Sequence, residues 1–269
     1  MTDGPIAGVI FDVDGVLVDS PHERAWRESL RDLLATDWRG IDGAERVLAT
    51  GLTTVIYQDH VAGKPRLSGA RAVLDYFQLP SPDSRAPEYA ACKQRRLVEL
   101  IDDGQFSAFG DGLRFVLALK ERGLKLAAAS SSENANGLMA QIRIGPSPEA
   151  AGRRDAGAQG LALLDMFDAN VCGRPVAQGK PHPDLFLLAA QELGLPPGVC
   201  LVVEDALSGV QAAQAGGMRA LGVARLRDEA LLNAAGADLV VSTLNAVWLD
   251  GIPQGRLERL LPPDIDAKV

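Results

Sequence analysis

The chain has 269 residues, of which 47% are hydrophobic and 23% are charged. This composition is typical of a globular protein with enough apolar material for one large or two modest domains. The formal net charge of −8 at pH 7 argues against a nucleic acid or an anionic membrane as the main partner, because both repel a negative surface.

The cysteines and the first residues of the chain indicate the compartment. Cys92, Cys172 and Cys200 lie far apart, which predicts reduced thiols and neither a zinc site nor a disulfide framework. The residues before Val9 lack the basic start and the apolar stretch of a signal peptide, and no apolar run approaches the length of a membrane span. We therefore expect a soluble cytoplasmic protein.

Short apolar runs alternate with stretches of helical periodicity along most of the chain. The runs that we predict to be strands are residues 8–11, 124–129, 199–203, 219–223 and 237–241. Strands that are apolar on both faces and separated by helices predict a parallel sheet covered on both sides. The predicted fold class is therefore α/β, with a doubly wound parallel sheet whose ligands bind at the carboxyl ends of the strands.

Residues 21–106 interrupt this alternation, because they contain no convincing buried strand. Their helical patterns are HERAWRESLRDLLA, GARAVLDYFQL and APEYAACKQRRLVELIDD. We predict a helical domain at 21–106, inserted into an α/β core formed by 1–20 and 107–269. Residues 145–160, which are rich in Gly, Ala and Pro, predict an exposed loop of the core.

Charged and hydroxyl side chains follow the predicted strands or lie in core loops. They are Asp12 and Asp14 after the first strand, Ser130 and Ser131 after the second, Lys180 within QGKPHPD, and Glu204 and Asp205 after the third. Because the carboxyl ends of parallel strands meet at one edge of a sheet, we expect these groups to converge. Each signal alone has an ordinary explanation as a turn, a helix cap or a surface lysine, so the interpretation depends on all of them occurring in this order.

Carboxylates that converge in this way predict a cation between them. Two such charges repel by roughly 4 kcal/mol at an effective dielectric constant of about 20, so both stay ionised only beside a positive charge. Mg²⁺ commonly takes one or two carboxylates, waters and a substrate phosphate. Lys180 adds a point charge, and the hydroxyl and N–H groups around Ser130 can hold phosphate oxygens. One carboxylate can then act as nucleophile and the other as general acid and base.

The sequences DVDGVLVDS, AAASSS, GKPHPDLF and VVEDALSGVQAAQAGG resemble the four successive motifs of the haloacid dehalogenase superfamily. The resemblance covers nearly the whole chain and implies a doubly wound α/β core with a helical cap inserted after the first motif. It makes Asp12 the nucleophile that becomes an aspartyl phosphate. It makes Asp14 the general acid and base, with its backbone carbonyl on Mg²⁺. An aspartate at this second position favours phosphate esters over dehalogenation.

The same resemblance assigns the remaining core residues. Ser130, Ser131 and Lys180 would hold the transferring phosphate. Asp205 would ligate Mg²⁺, and Glu204 would support or ligate it. With Asp12 and Asp14, these two carboxylates form the metal site that the resemblance implies.

Within the superfamily, the chain looks most like the β-phosphoglucomutase group. GKPRLSGARAVL resembles the specificity loop of that group and implies that Arg66 binds phosphate, while CKQRRL implies a substrate contact for Lys93. PHERAW resembles the helix whose histidine couples cap closure to acid–base catalysis, which indicates His22. The segment before Trp26 is shorter than in that group by about two residues, or roughly 200° of helix, so Arg24 remains an alternative to His22.

Three functions follow from these observations. The favoured one is isomerisation of a β-hexose 1-phosphate to the 6-phosphate. The alternative is a phosphatase of sugar phosphates or phosphoglycolate-like esters, in which water instead of a sugar hydroxyl meets the aspartyl phosphate. A non-catalytic binding module is disfavoured by the intact set of polar residues. The predicted partner is a small phosphorylated metabolite, and the predicted assembly is a monomer or a homodimer.

Overall fold

The computed structural model describes residues 4–144 and 160–260. The strands are β1 (Gly8–Phe11), β2 (Val18–Asp19), β3 (Ser107–Ala108), β4 (Lys125–Ala128), β5 (Arg143–Ile144), β6 (Leu161–Ala162), β7 (Ala169–Asn170), β8 (Cys200–Glu204), β9 (Arg219–Val223) and β10 (Leu239–Val241). The α-helices are α1 (His22–Ala35), α2 (Ala44–Thr50), α3 (Thr54–His60), α4 (Arg66–Tyr76), α5 (Pro82–Asp102), α6 (Gly110–Glu121), α7 (Ala135–Gln141), α8 (Asp184–Leu193), α9 (Leu207–Ala215) and α10 (Glu229–Ala234). The loop predicted at 145–160 lies outside the described residues, apart from the exposed Gly160.

Six strands form one parallel sheet in the order β10–β9–β8–β1–β4–β7. Strand β1 lies inside it, with Ile10 opposite Val202 of β8 and Ala127 of β4. Successive side chains of a strand point to opposite faces. Accordingly, Val9 and Phe11 pack in one buried cluster and Ile10 in the other. The predicted α/β fold with a doubly wound parallel sheet is confirmed.

Each predicted strand overlaps a strand of this sheet, and 8–11 and 219–223 agree with β1 and β9 at both ends. Strand β7 was not predicted. It contains only Ala169 and Asn170 and forms the edge of the sheet beside β4. A strand this short carries too few apolar residues to show a period in the sequence.

Helices α1 to α5 occupy the segment predicted to be the inserted domain, which we call the cap. The two chain crossings between core and cap run side by side, because β2 and β3 pair antiparallel with Val18 opposite Ala108. The cap has its own apolar cluster, in which the rings of Trp26 and Tyr89 meet edge to face with centroids 4.9 Å apart. The Tyr89 hydroxyl donates a hydrogen bond to the Trp26 carbonyl at 2.8 Å. A separate core fixes the shape of the cap over the sheet edge.

Within the part of the chain that the structure describes, no helix has both the length and the apolar character needed to cross a bilayer.

Candidate active site

The predicted polar groups meet at the carboxyl ends of β1, β4 and β8. The backbone continues the ladder past β1, since the N–H of Asp12 donates to Val203 O at 3.0 Å. Lys180, which precedes α8, donates from Nζ to Asp12 Oδ1 at 2.6 Å and to Glu204 Oε1 at 2.5 Å. The ammonium group therefore bridges two carboxylates that come from different strands.

This bridge is sealed from solvent, because the side chains of Lys180 and Glu204 are 0% exposed. Burial acts to lower the pKa of Lys180, but Asp12 and Glu204 reverse this and raise it above its usual value. Burial raises the pKa of Asp12 to about 8, although Lys180 opposes the rise. A second cation near Asp12 would lower its pKa and keep the carboxylate ionised for nucleophilic attack.

Asp12, Glu204 and Asp205 each offer a carboxylate oxygen, and these oxygens all lie within 4.8 Å of one another. Burial raises the pKa of Asp205 well above its usual range, and the charges of Glu204 and Asp12 raise it further. Hard oxygen ligands at this spacing suit Mg²⁺. The residues present therefore fit the metal that the family resemblance implies.

Glu204 also supports the turn that follows β8. Its Oε1 accepts the hydrogen bond from Lys180, and its Oε2 accepts from the backbone N–H groups of Asp205 and Ala206 at 3.0 and 2.9 Å. Both oxygens are thus occupied by the protein, and the side chain fixes the turn that carries Asp205. A Cβ atom at Gly209 of α9 would collide with this carboxylate, which explains the glycine there.

Asp14 lies on the side of the site that faces the cap. Its Oδ1 accepts from the Ser20 hydroxyl at 2.6 Å, and its Oδ2 accepts from the Ser130 hydroxyl at 3.2 Å. Its side chain does not belong to the cluster of potential metal ligands within the described residues. The turn that follows needs a glycine, because Gly15 has a φ of +87° and a Cβ there would collide with the Asp205 carboxylate.

The cap brings His22 and Lys93 to Asp14. His22 Nε2 lies 3.5 Å from Asp14 Oδ1, and His22 Nδ1 lies 3.1 Å from Lys93 Nζ. Burial lowers the pKa of His22 to about 4, with Lys93 contributing, so the ring is uncharged at neutral pH. Burial also lowers the pKa of Lys93, to about 7. Arg24 points away and pairs with Glu28 and Gln105, so His22 is the residue that lies in the site.

Arg66 and Ser131 make contacts between the cap and the core. Arg66 Nη2 donates to Glu133 Oε2 at 3.2 Å, and the Ser131 hydroxyl donates to Gly63 O at 3.2 Å. The Ser208 hydroxyl adds a third contact, to Ala62 O at 2.7 Å. Two serine hydroxyls of the core thus hold the loop before α4, and the cap is closed over the sheet edge.

The closed cap encloses a cavity of about 660 Å³ between the two domains. Its walls include the core residues Asp12, Asp14 and Ser130 and the cap residues His22, Arg66 and Lys93. Pockets of roughly 300–1,000 Å³ are typical of small-molecule sites. Every predicted substrate-binding residue of the cap therefore faces the same space as the two aspartates.

A partly buried ion pair that was not predicted supports the turn after Asp14. Arg225, just after β9, donates to both carboxylate oxygens of Asp111 at 2.8 and 3.0 Å and to the carbonyls of Gly15 and Val16 at 3.2 Å. Thr243 Oγ1 also donates to Asp111, at 2.7 Å. Although burial acts to raise it, the hydrogen bonds from Arg225 and Thr243 hold the pKa of Asp111 at about 2.

Asp111→Asn should lower the free energy of unfolding by about 2 kcal/mol, because it leaves the partly buried Arg225 guanidinium without its counter-charge. Urea unfolding followed by circular dichroism measures the difference. Asp42→Asn, the same change at an exposed cap residue, should alter stability by less than about 0.5 kcal/mol. Equal stabilities of the two variants would contradict the supporting role of the ion pair.

Comparison with known proteins identifies the family. A sequence profile of the haloacid dehalogenase-like hydrolases matches residues 6–217. The chain belongs to this family. The β-phosphoglucomutase of Mycobacterium tuberculosis (strain CDC 1551 / Oshkosh) is 32% identical, over 89% of this chain and 90% of that enzyme. Fructose-1-phosphate phosphatase YqaB of Escherichia coli (strain K12) is 30% identical, over 81% of this chain and 96% of that enzyme.

Two further proteins, one compared by sequence and one by structure, are similar to this chain. SUPPRESSOR OF QUENCHING 1, a chloroplastic protein of Arabidopsis thaliana, is 32% identical over 94% of this chain, which spans only 21% of that protein. The crystal structure of an archaeal β-phosphoglucomutase from Pyrococcus sp. strain ST 04 matches with a TM-score of 0.63 and 30% identity, covering 92% of this chain and 97% of that one. The predicted membership of the β-phosphoglucomutase-like subgroup is confirmed, and the chain is an enzyme of the phosphomutase or phosphatase type.

Proposed function

We propose that the protein is a Mg²⁺-dependent phosphoryl transferase that isomerises a hexose 1-phosphate to the 6-phosphate through an aspartyl phosphate on Asp12. The observation that carries this proposal is the position of His22. Its ring lies between Asp14, the proposed acid and base, and Lys93 of the cap. Acid–base chemistry is thus connected to cap closure, as it must be in an enzyme that protects its intermediate from water.

In the first half of the reaction, the Asp12 carboxylate attacks phosphorus and the bond from phosphorus to the sugar oxygen breaks. Asp14, protonated at this stage, gives its proton to the departing oxygen. The hydroxyl of Ser130, which contacts Asp14, donates a hydrogen bond to a phosphoryl oxygen. The ammonium of Lys180, which contacts Asp12, neutralises charge on the phosphoryl group. Asp12 and Asp205, with the backbone carbonyl of Asp14 that the family resemblance adds, would hold a Mg²⁺ ion, which would supply further charge neutralisation.

In the second half, a sugar hydroxyl attacks the aspartyl phosphate and Asp14 takes its proton, which restores Asp12. When that hydroxyl belongs to a hexose 1-phosphate, the product of this half is a sugar bisphosphate, which must turn within the closed cavity before Asp12 takes its other phosphoryl group and releases the 6-phosphate. On the cap wall of that cavity, Arg66 provides a cationic group for the phosphate that is not being transferred. Lys93 provides a second one when the phosphate binds, because a nearby anion raises its pKa from about 7.

One contact favours the phosphatase alternative. The guanidinium of Arg66 is already paired with the Glu133 carboxylate across the cavity. A carboxylate beside Arg66 weakens the binding of a second phosphate group at that position. If the sugar monophosphate then dissociates, water hydrolyses the aspartyl phosphate. Relatives of both types, a β-phosphoglucomutase and a fructose-1-phosphate phosphatase, match the chain at similar identity.

The two reactions are separated by their products. Purified protein with Mg²⁺, β-glucose 1-phosphate and a trace of glucose 1,6-bisphosphate should yield glucose 6-phosphate as the main product. Phosphorus NMR of the mixture measures the isomer and free phosphate in one spectrum. Free phosphate as the only product would contradict the mutase proposal and establish the phosphatase.

A further inference from the structure

Helix α3 of the cap contributes a polar residue to the cavity that neither the motifs nor the mechanism above uses. Gln58 lines the cavity and is only 7% exposed. Its amide oxygen accepts no hydrogen bond from any residue in the described ranges 4–144 and 160–260. Gln58 is therefore a buried amide with unused hydrogen-bonding capacity at the wall of the proposed substrate site.

A buried polar atom without a partner is costly in a folded protein. The desolvation penalty is about 1–3 kcal/mol for an unsatisfied donor or acceptor. A methionine at this position would keep the side-chain length without that penalty. An amide in such a place is useful when a ligand completes it, because one end accepts and the other donates a hydrogen bond. The terminal torsion of glutamine is broad, so the amide can turn toward a ligand.

The surroundings of Gln58 indicate which part of a ligand it meets. Tyr57, its neighbour on α3, also lines the cavity. Burial raises the pKa of Tyr57 well above its usual value, and the charges of Asp205 and Asp14 raise it further. This part of α3 lines the same cavity as Asp14 and Asp205. A second phosphate meets Arg66 and Lys93 instead, so a neutral amide suits the uncharged middle of the substrate.

We propose that Gln58 is a specificity-determining residue that hydrogen-bonds a hydroxyl group on the carbon chain of the substrate. This inference rests on the proposed phosphoryl transfer at Asp12. It narrows the substrate class to polyhydroxylated phosphate esters such as sugar phosphates. Esters that carry no free hydroxyl, such as phosphoglycolate, offer no donor to the amide oxygen of Gln58.

The test compares Gln58→Met with the unaltered protein on three phosphate compounds: glucose 1-phosphate, fructose 1-phosphate and phosphoglycolate. Loss of one neutral hydrogen bond should lower kcat/KM for the preferred sugar phosphate about fivefold more than kcat/KM for phosphoglycolate. For a deoxy analogue that lacks the hydroxyl contacted by Gln58, kcat/KM should be the same in Gln58→Met and in the unaltered protein. Val55→Thr is the matched control, because Val55 lies on the same helix and is 68% exposed, and it should leave all rates unchanged.

The outcomes distinguish a failure of the role proposed for Gln58 from a failure of the proposed phosphoryl transfer. An equal loss on sugar phosphates and phosphoglycolate would overturn the role of Gln58 while leaving phosphoryl transfer intact. A preference of the unaltered protein for phosphoglycolate would also overturn it and would favour the phosphatase alternative. Absence of turnover on all three compounds would overturn the proposed function, and with it the inference.

Discussion

Replacement of Asp12 by asparagine should lower turnover of the sugar phosphate by at least about 10⁴-fold, because the amide cannot form an acyl phosphate. The change is nearly isosteric. The amide oxygen of asparagine can still accept the hydrogen bond that Lys180 donates to Asp12 Oδ1. We therefore expect the far-ultraviolet circular dichroism spectrum to be unchanged, and a coupled assay of glucose 6-phosphate to measure the loss.

Two further variants separate the nucleophile from general charge effects. Asp37→Asn makes the same substitution at an exposed cap residue and should keep full activity. Asp14→Asn should lose turnover of sugar phosphates but still label Asp12 from acetyl phosphate, whose leaving group needs no acid. Asp12→Asn should acquire no phosphoryl label from acetyl phosphate or from the sugar phosphate. Turnover of Asp12→Asn above a few per cent would mean that another residue is the nucleophile.

The site could be predicted largely from the sequence because parallel topology converts chain order into spatial proximity. Asp12 and Lys180 are 168 residues apart, yet they form a hydrogen bond. Apolar runs identify the strands, and side chains that follow parallel strands must meet at one edge. The family resemblance added the individual roles, and it also indicated His22, Arg66 and Lys93, whose contacts no periodicity could give.

The unpredicted parts depend on contacts that leave little trace in a single sequence. Helix α3 is only seven residues long, and TVIYQDH shows no clear amphipathic period. Among the residues that the structure describes, the amide oxygen of Gln58 has no hydrogen-bond partner, a feature that a sequence cannot show. Arg225 and Asp111 are separated by 114 residues, and neither stands in one of the four motifs. An arginine after a strand is ordinarily a solvated surface residue.

The choice between His22 and Arg24 shows a different limit. Two residues on a helix differ by roughly 200° in direction, so the answer depends on where the helix begins. Helix α1 begins at His22, and this phase directs the histidine to Asp14 and Arg24 to Glu28 on the exposed side. His22 therefore lies in the site, although the segment before Trp26 is shorter than in the β-phosphoglucomutase group.

Replacement of Lys180 by methionine should have the largest effect on stability. The ammonium is enclosed between Asp12 and Glu204, and methionine would leave two buried carboxylates without a counter-charge. Removing one partner of a buried ion pair costs about 3–5 kcal/mol. Lys120→Met is the matched control. Its ammonium pairs with Asp168 at the surface, where an ion pair contributes about 1 kcal/mol or less.

The effect of pH on the Lys180→Met variant follows from Asp12. Its folded-state pKa is already raised to about 8 by burial, far above that of an unfolded chain, and loss of the lysine raises it further. Below the raised pKa the variant binds a proton on Asp12 and avoids part of the cost. In the unfolded chain Asp12 is already ionised above about pH 4, so stability is lost as the pH rises from there through the raised folded-state pKa. Urea unfolding should therefore show a larger difference in stability between Lys180→Met and the unaltered protein at pH 9 than at pH 7.

The double variant Asp12→Asn/Lys180→Met should be less destabilised than Lys180→Met alone, because it buries one carboxylate fewer. Equal stability of Lys180→Met and the unaltered protein at both pH values would contradict the burial of the Lys180 ammonium between Asp12 and Glu204.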